Sequence, residues 1–273
     1  MIKIELFFKK YNIVIQLVLF LIATVFLSLD INRPLVDYDE ATYAQVVTDT
    51  LQSGDVSTFQ LHGQNWFEKP PLYLWFTMAS VKIFGEAEYA FRIPGVLAAL
   101  LCCWLVYLII KDQTKNYLAA ALGFLILLFS NSFFVFAREL RLDSAVTASI
   151  LAALFFWIRG LYREKYFFWV FPLIAIGVLF KSVIGLLAIP VILIYSICYR
   201  KWGWLKSKYL WFGLLLALVI ILPWHILESI RFGHLFWDDY LGRQIFQRAT
   251  STMTGTNNYY DYLEVLWSLV PWI

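Results

Sequence analysis

The chain has 273 residues, of which 61% are hydrophobic, 19% are aromatic and only 15% are charged, and its formal net charge is +3. This composition lies far outside the range of soluble globular domains and excludes an ordinary soluble enzyme or binding module. It predicts an all-α polytopic membrane protein.

Seven apolar runs predict complete transmembrane helices, since most are near the length of about 20 residues that crosses a bilayer. They occupy residues 11–29, 89–110, 116–137, 144–158, 166–180, 182–199 and 209–227. An eighth run begins near Val265 and continues to Ile273 without a polar exit. We therefore expect that residues 1–273 form the N-terminal transmembrane module of a longer protein.

Residues 166–199 are interrupted only by Lys181 and are compatible with one long span or two short ones. Charge favours two spans, because the basic loops 1–10, 111–115, 159–165 and 200–208 then share one side. The positive-inside rule makes that side cytoplasmic, together with the N-terminus. The remaining polar segments, in which function is expected, face the outside.

The first outer loop, residues 30–88, carries its own helical signals. Asp37 and Glu40 have capping-box spacing, and Gly54 follows the apolar pattern where a C-terminal cap is expected. A second helix is predicted from Pro70 to Phe84. Both segments are too short to cross, so we expect interfacial or re-entrant helices.

Two charged pairs stand at the starts of these two helices. Asp39 and Glu40 open the first, and their simplest interpretation is capping and a favourable interaction with the helix dipole. Glu68 and Lys69 precede the second, where a local ion pair with a snorkelling lysine is the alternative to a functional role.

Three motifs together resemble a known family. Asp39-Glu40 follows the first span, GQNWFEKPP occupies residues 63–71, and ARELRLDS occupies residues 137–144. This order and spacing, over about residues 30–185, resembles the bacterial polyprenyl-phosphate-sugar-dependent glycosyltransferases of the integral-membrane GT-C fold, which include aminoarabinose transferases and protein O-mannosyltransferase relatives.

The resemblance implies an active site at membrane level on the periplasmic face of the bacterial cytoplasmic membrane. There a monosaccharide passes from a polyprenyl phosphate to a hydroxyl of lipid A, another glycan or a protein, usually with inversion at the anomeric carbon. The acceptor needs a carboxylate to take its proton, and the departing phosphate needs cations. No nucleic-acid partner is expected.

The resemblance also implies roles for the two charged pairs. Asp39 is expected to be the general base or acceptor-orienting carboxylate, and Glu40 is expected to be a second catalytic carboxylate that supports it. Lys69 is the expected donor-phosphate contact, since an ammonium at headgroup depth can meet the phosphate while the tail stays in the bilayer. Glu68 matches a position that binds a divalent metal in the aminoarabinose transferase type.

The ARELRLDS loop and Lys181 supply further candidates. Arg138 and Arg141 are suited to bidentate phosphate binding, and Asp143 is expected within reach of either arginine. Lys181 lies between two apolar arms, and the resemblance places it near the donor phosphate. Charged helix ends for the loop, and a snorkelling lysine for Lys181, are the alternatives.

The last outer segment matches the family less well. Arg243 and Arg248 are candidate phosphate contacts, but they stand, with Gln244 and Gln247, where the family places a metal-binding histidine. His234 and His225 are candidate substitutes for that histidine. One alternative is a divalent metal with Glu68 and His234 as ligands, and the other is stabilisation of the phosphate by cationic side chains without a metal. Trp66 and Tyr73 have aromatic faces suited to a sugar ring or an isoprenoid chain.

Other classes of protein remain as alternatives. A lipid-linked-sugar transporter or flippase would also carry intramembrane charge, but it would show two similar halves and a site near the midplane. A GT-C enzyme that ligates oligosaccharides on lipid carriers is a second alternative. A catalytically inactive membrane scaffold is the third.

Overall fold

The computed structural model describes residues 2–35 and 37–247, apart from the side chains of residues 2–4 and 245. Twelve α-helices occupy most of this part: α1 Ile2–Lys10, α2 Asn12–Ser28, α3 Tyr38–Ser53, α4 Leu72–Phe84, α5 Glu88–Thr114, α6 Tyr117–Leu128, α7 Asn131–Ala137, α8 Asp143–Gly160, α9 Val170–Lys181, α10 Ala188–Cys198, α11 Lys208–Phe232 and α12 His234–Trp237. Three 3-10 segments lie at Glu164–Trp169, Ser182–Leu187 and Gly203–Lys206, and a π-helix lies at Asp238–Gln247. One antiparallel strand pair consists of β1 Gln60–Leu61 and β2 Gln64–Asn65.

The long apolar helices make this an all-α polytopic membrane protein. By length and composition, α5, α8, α11 and the stretch Glu164–Cys198 can each cross a membrane, and α6 with α7 is a fifth candidate. The span predicted over residues 116–137 is not a single straight helix, because α6 and α7 meet at 66°. The bend arises at Ser130, whose extended backbone precedes α7.

The apolar stretch around Lys181 is not one straight helix. A Cβ atom built on Gly185 would lie 2.1 Å from the carbonyl carbon of Gly177, whereas eight residues of a straight helix span about 12 Å. The chain reverses directly after Lys181, at Ser182, which has a φ of 50°. The stretch therefore folds back on itself in two arms.

The first outer helix is confirmed, with one correction to its cap. The Asp37 side chain accepts a hydrogen bond from the Asp39 N–H at 3.0 Å, and Gly54 ends α3 with a φ of 78°. Glu40 does not complete a capping box, because its carboxylate turns inward to Arg92.

The second outer helix, α4, begins two residues later than predicted and ends at Phe84 as predicted. Gly85 follows with a φ of 83°. One face of α4 is buried, including Tyr73 and Thr77, while Phe76 and Ile83 are exposed. This exposed apolar face is consistent with contact to lipid.

The outer segments form a packed layer over the helix ends. One buried cluster joins α3, the 59–66 hairpin, α4 and the start of α5 to residues 140–146 of the ARELRLDS loop and the first turn of α8. Burial of these apolar side chains holds the loops that carry the predicted site residues.

Candidate active site

A buried ion pair anchors the site. Arg92, near the start of α5, donates from Nε and one terminal nitrogen to the two carboxylate oxygens of Glu40, at 2.8 Å each. The same guanidinium donates to three backbone carbonyls of the segment 31–34, and Glu40 accepts the Leu140 N–H at 2.7 Å. Both side chains are fully buried. The pair therefore fastens three outer segments together, because every strong donor and acceptor finds a partner within it.

Glu40 itself is closed off from reacting groups. Its carboxylate is occupied by Arg92 and Leu140 and has no exposed surface. The catalytic assignment of Glu40 is therefore corrected to a positioning role beside Asp39.

Asp39 lies on the accessible side of the same helical turn. Its side chain is 48% exposed, and its carboxylate is 3.6 Å from Arg141. Arg141 also pairs with Asp37 at 3.0 Å and with Glu139 at 2.8 Å. Burial works against the charge of Arg141, but these carboxylates outweigh it and raise its pKa. The guanidinium therefore helps to hold the Asp39 carboxylate in one orientation.

The Tyr43 hydroxyl marks the point where several predicted residues converge. Burial raises the pKa of Tyr43, and the negative charges of Asp39, Glu68 and Asp143 raise it further. The positive charge of Arg141 lowers the pKa of Tyr43. Because such electrostatic effects decline with distance, these charged groups lie in the neighbourhood of the Tyr43 hydroxyl. Residues more than 100 positions apart in the chain thus share one site.

Asp143 and Lys181 form an ion pair. Nζ of Lys181 lies 2.6 Å from the Asp143 carboxylate, and both side chains remain partly exposed. The ion-pair partner of Asp143 is thus Lys181, which the reversal after α9 brings to it, and is neither Arg138 nor Arg141. An ammonium already held by one carboxylate still has two further N–H donors for a phosphate.

Glu68 and Lys69 stand together at the entrance to α4. Nζ of Lys69 is 3.9 Å from Glu68 and donates to Gln244 at 3.5 Å. The neighbouring Phe67 packs into an aromatic cluster with Trp224 and Phe236. This packing fixes the depth of the Lys69 side chain, which is 13% exposed.

Hydrogen bonds and an ion pair hold the loop before the β-hairpin against the end of α11. Arg231 donates to Asp55 at 2.8 Å and to Ser57 at 2.7 Å, while Thr58 donates to the buried Glu228 at 2.8 Å. The Ser57 hydroxyl is the main cause of a lowered pKa at Asp55. These contacts connect the first outer loop to the last described one.

Trp66 and Tyr73 are not open surfaces for a sugar ring. Trp66 is 5% exposed and packs edge-on against Tyr43 and Phe59. Tyr73 is fully buried at the wall of an apolar groove. Both predicted stacking roles are corrected to packing roles.

The remaining predicted arginines have other partners. Arg138 donates to the Leu29 carbonyl at 2.7 Å and stacks over Phe134, at the end of α2. Arg243 is 62% exposed and pairs with Asp239 at 3.0 Å. Arg248 lies outside the described residues, as does the predicted eighth span.

The metal prediction gains no structural support. Within residues 2–35 and 37–247, no three His, Cys, Asp or Glu side chains group as metal ligands would. Glu68 faces Lys69, and His225 contacts the Ile221 carbonyl and the Tyr240 hydroxyl. Glu68 and His234 thus stay predicted ligands only.

An apolar groove of about 540 Å³ opens beside the charged residues. It lies between α4, α5, α8 and α9, and its lining includes Phe76, Ala145 and Phe180. Ala145 and Phe180 are close neighbours in sequence of Asp143 and Lys181, so the ion pair lies at one end of the groove. This arrangement suits a ligand with a charged head and a long hydrocarbon tail.

Arg92 and Tyr43 are the residues that sequence reasoning missed. Arg92 lies inside the apolar run 89–110, and an ionisable group within a predicted span is a signal that marks it. Tyr43 had no comparable signal, because its helical spacing is that of any core residue.

The fold has a close counterpart among solved structures. A crystal structure of ArnT from Cupriavidus metallidurans bound to undecaprenyl phosphate matches 94% of this chain with a TM-score of 0.82 and 28% identity, over 49% of its own length. The apo-state structure, at 24% identity, shows the same fold with a TM-score of 0.78. The chain is therefore an integral-membrane protein of the GT-C fold.

Comparison with sequence families leads to a narrower assignment. Residues 68–227, more than half of the chain, match the model described as dolichyl-phosphate-mannose-protein mannosyltransferase. The chain belongs to this family. The family membership and the apolar helices make it a multi-pass protein of the bacterial inner membrane type.

Several curated relatives carry the same kind of name. An undecaprenyl phosphate-alpha-4-amino-4-deoxy-L-arabinose arabinosyl transferase of Proteus mirabilis is 27% identical over 95% of this chain and 48% of its own length. One from Pseudomonas fluorescens is 30% identical over 86% of this chain and 41% of its own length. The chain spans about half the length of the curated relatives that it matches.

Proposed function

We propose that this chain carries the lipid-donor part of a glycosyltransferase active site, which moves a monosaccharide from a polyprenyl phosphate to a hydroxyl acceptor. The observation that carries the proposal is the charged cluster beside the apolar groove, in which Asp39 pairs with Arg141 and Asp143 pairs with Lys181. The relatives' name and the undecaprenyl phosphate bound to ArnT support the same donor class.

The donor is expected to bind by its two chemically different parts. The phosphate interacts with the ammonium groups of Lys69 and Lys181, both of which keep some exposure. The polyprenyl tail lies in the apolar groove, where it removes hydrocarbon surface from water. Arg243 and Arg248 are further phosphate contacts in this proposal.

The transfer is a single displacement. Asp39 takes the proton of the acceptor hydroxyl, whose oxygen forms the new bond to the anomeric carbon. The bond from that carbon to the phosphate oxygen breaks, and polyprenyl phosphate departs with the electron pair. The lysines stabilise the growing charge on the phosphate, and Arg141 keeps the carboxylate oriented. Attack opposite the leaving group inverts the anomeric carbon.

The placement in the membrane follows from charge. The N-terminus and the basic loops are cytoplasmic, and the site faces the periplasm. Helices α3 and α4 lie along the outer interface, with seven complete spans and the start of an eighth in the chain. A divalent metal held by Glu68 and His234 is the alternative to stabilisation of the phosphate by the lysines alone. The acceptor class is a hydroxyl of a lipid, glycan or protein.

The proposal is tested with purified protein, a panel of radiolabelled undecaprenyl-phosphate sugars and envelope extract as acceptor. Asp39→Asn is expected to lower transfer by about 100-fold or more, because a general base contributes on that order. Lys69→Ala is expected to weaken donor use, while Lys82→Ala, an exposed position on α4, serves as the control.

Two outcomes would count against the proposal. Unchanged transfer by Asp39→Asn would remove the proposed base. Movement of intact lipid-linked sugar across vesicles, with no transfer from any donor, would favour the transporter.

A further inference from the structure

A second site lies at the opposite ends of the helices that hold the candidate active site. Helix α5 begins at Glu88, about one turn before Arg92, and continues for 27 residues to Thr114, which is about 40 Å. Helix α8 begins at Asp143 and ends at Gly160. The loops that follow α5 and α8 therefore lie on the other face of the protein.

These loops enclose a polar cavity of about 390 Å³. Its charged lining is Lys115, Arg159 and Arg163 with a single acid, Asp112. The cavity therefore has an excess of positive charge, and Tyr162 and Tyr166 complete its walls.

Arg159 is held in a fixed orientation. Its Nε donates to Asp112 at 2.7 Å, and its guanidinium lies over the rings of Phe155 and Tyr166. Among the described residues, no acceptor for its terminal nitrogens and no ion-pair partner for Lys115 or Arg163 is found. These cations are thus available for an anionic group.

An apolar cavity of about 450 Å³ adjoins the polar one. The two cavities share Ile158 and Tyr162 in their walls. The apolar cavity extends between α5, α8 and α10, with Leu151, Leu154 and Val191 in its lining. A charged cavity thus opens into a hydrocarbon-lined one on the same face.

We propose that these joined cavities bind an anionic phospholipid of the leaflet opposite the candidate active site. Its phosphate contacts Lys115, Arg159 and Arg163, and one acyl chain enters the apolar cavity. Basic pockets between membrane helices suit such headgroups, and the net negative charge of the lipid matches the unbalanced cations. A free phosphate shares the headgroup chemistry but cannot use the apolar part. The inference depends on membrane embedding and not on sugar transfer.

The test is native mass spectrometry of the purified protein with phosphatidylglycerol and phosphatidylethanolamine of identical acyl chains. Wild type is expected to retain the anionic lipid in preference. Lys115→Gln with Arg163→Gln is expected to weaken that binding by about tenfold or more. The matched control is Lys206→Gln with Lys208→Gln, which removes two exposed charges from the same face outside the cavities.

A third set of measurements tests whether an acyl chain occupies the apolar cavity. Leu154→Trp, or Val191→Trp should the first variant fail to fold, fills the apolar cavity and is expected to reduce lipid retention. Glycerol phosphate and inorganic phosphate are not expected to displace the lipid. Displacement by either would assign the site to a free phosphate instead. Equal retention of both lipids, equal loss in the control pair, or no retained lipid would overturn the proposal.

Discussion

Asp39 and Glu40 are adjacent in the chain but have different surroundings. Successive residues of an α-helix point about 100° apart, so only one of them can face the bundle. Glu40 faces it and meets Arg92, whereas Asp39 stays half exposed beside Arg141. Arg92 and Glu40 are both desolvated, so each depends on the other for compensation of its charge.

Arg92→Met is expected to destabilise the protein by about 3–5 kcal/mol, because it leaves the Glu40 carboxylate buried without its partner. Adding Glu40→Leu should recover much of the loss, since two apolar side chains can replace a buried pair. Thermal unfolding in detergent measures both effects. Arg33→Met, which removes a partly exposed partner of Glu139, is the control. Equal losses in the single and double variants would contradict the proposed compensation.

Lys181→Gln is expected to raise the KM for the lipid donor by about tenfold, because a charged hydrogen bond contributes about 1.5–3 kcal/mol. Steady-state kinetics at saturating acceptor measures it. Asp143→Asn separates the two roles of the lysine, since it removes the ion pair but keeps the ammonium. If Lys181 serves only to hold Asp143, both variants would lose stability while donor KM stays unchanged.

At the level of elements, the reversal between α9 and α10 is the feature on which the placement of Lys181 depends. Gly177 and Gly185 approach at backbone distance, which leaves no volume for a side chain on either. Contact between two glycines allows this close packing of backbones, as is common in membrane helices. The reversal then presents Lys181 to the first turn of α8.

Gly185→Ala is expected to destabilise the protein by about 1–3 kcal/mol, because its Cβ would overlap the backbone at Gly177 and Val178. Thermal unfolding in detergent measures the change. Gly203→Ala is the matched control, since nothing lies within 4 Å of a Cβ built there. A stable Gly185→Ala protein with normal Lys181 function would show that the two arms do not need this contact.

Across the whole molecule, the two charged regions lie at opposite ends of α5 and α8. The candidate active site combines carboxylates with cations, whereas the polar cavity at the other ends has an excess of cations. This asymmetry agrees with the positive-inside rule and predicts the orientation of the protein.

The orientation is tested by labelling single cysteines with a membrane-impermeant maleimide in spheroplasts. On a background with Cys198→Ser, Lys82→Cys is expected to react in intact spheroplasts, and Tyr162→Cys only after permeabilisation. Both positions are exposed, and the natural Cys102 and Cys103 are buried. The reverse pattern would place the candidate site in the cytoplasm.

Local signals account for the parts of this protein that could be predicted. Both outer helices were found because Asp37, Gly54 and Gly85 act on their own neighbouring backbone. Asp39 and Lys69 were found because short motifs carry them. The bend at Ser130 was missed, since an uncharged run has no local mark of where a helix breaks.

The sequence by itself determined the class of protein, the outer helices and most of the charged site residues, because hydropathy, caps and motifs act over short distances. Only the tertiary structure decided which charges meet. Glu40 forms a buried ion pair with Arg92, and Asp143 forms an ion pair with Lys181. Trp66 is buried in the apolar cluster under the outer segments. The two ion pairs join residues 52 and 38 positions apart, and packing between helices, which no local pattern records, selects them.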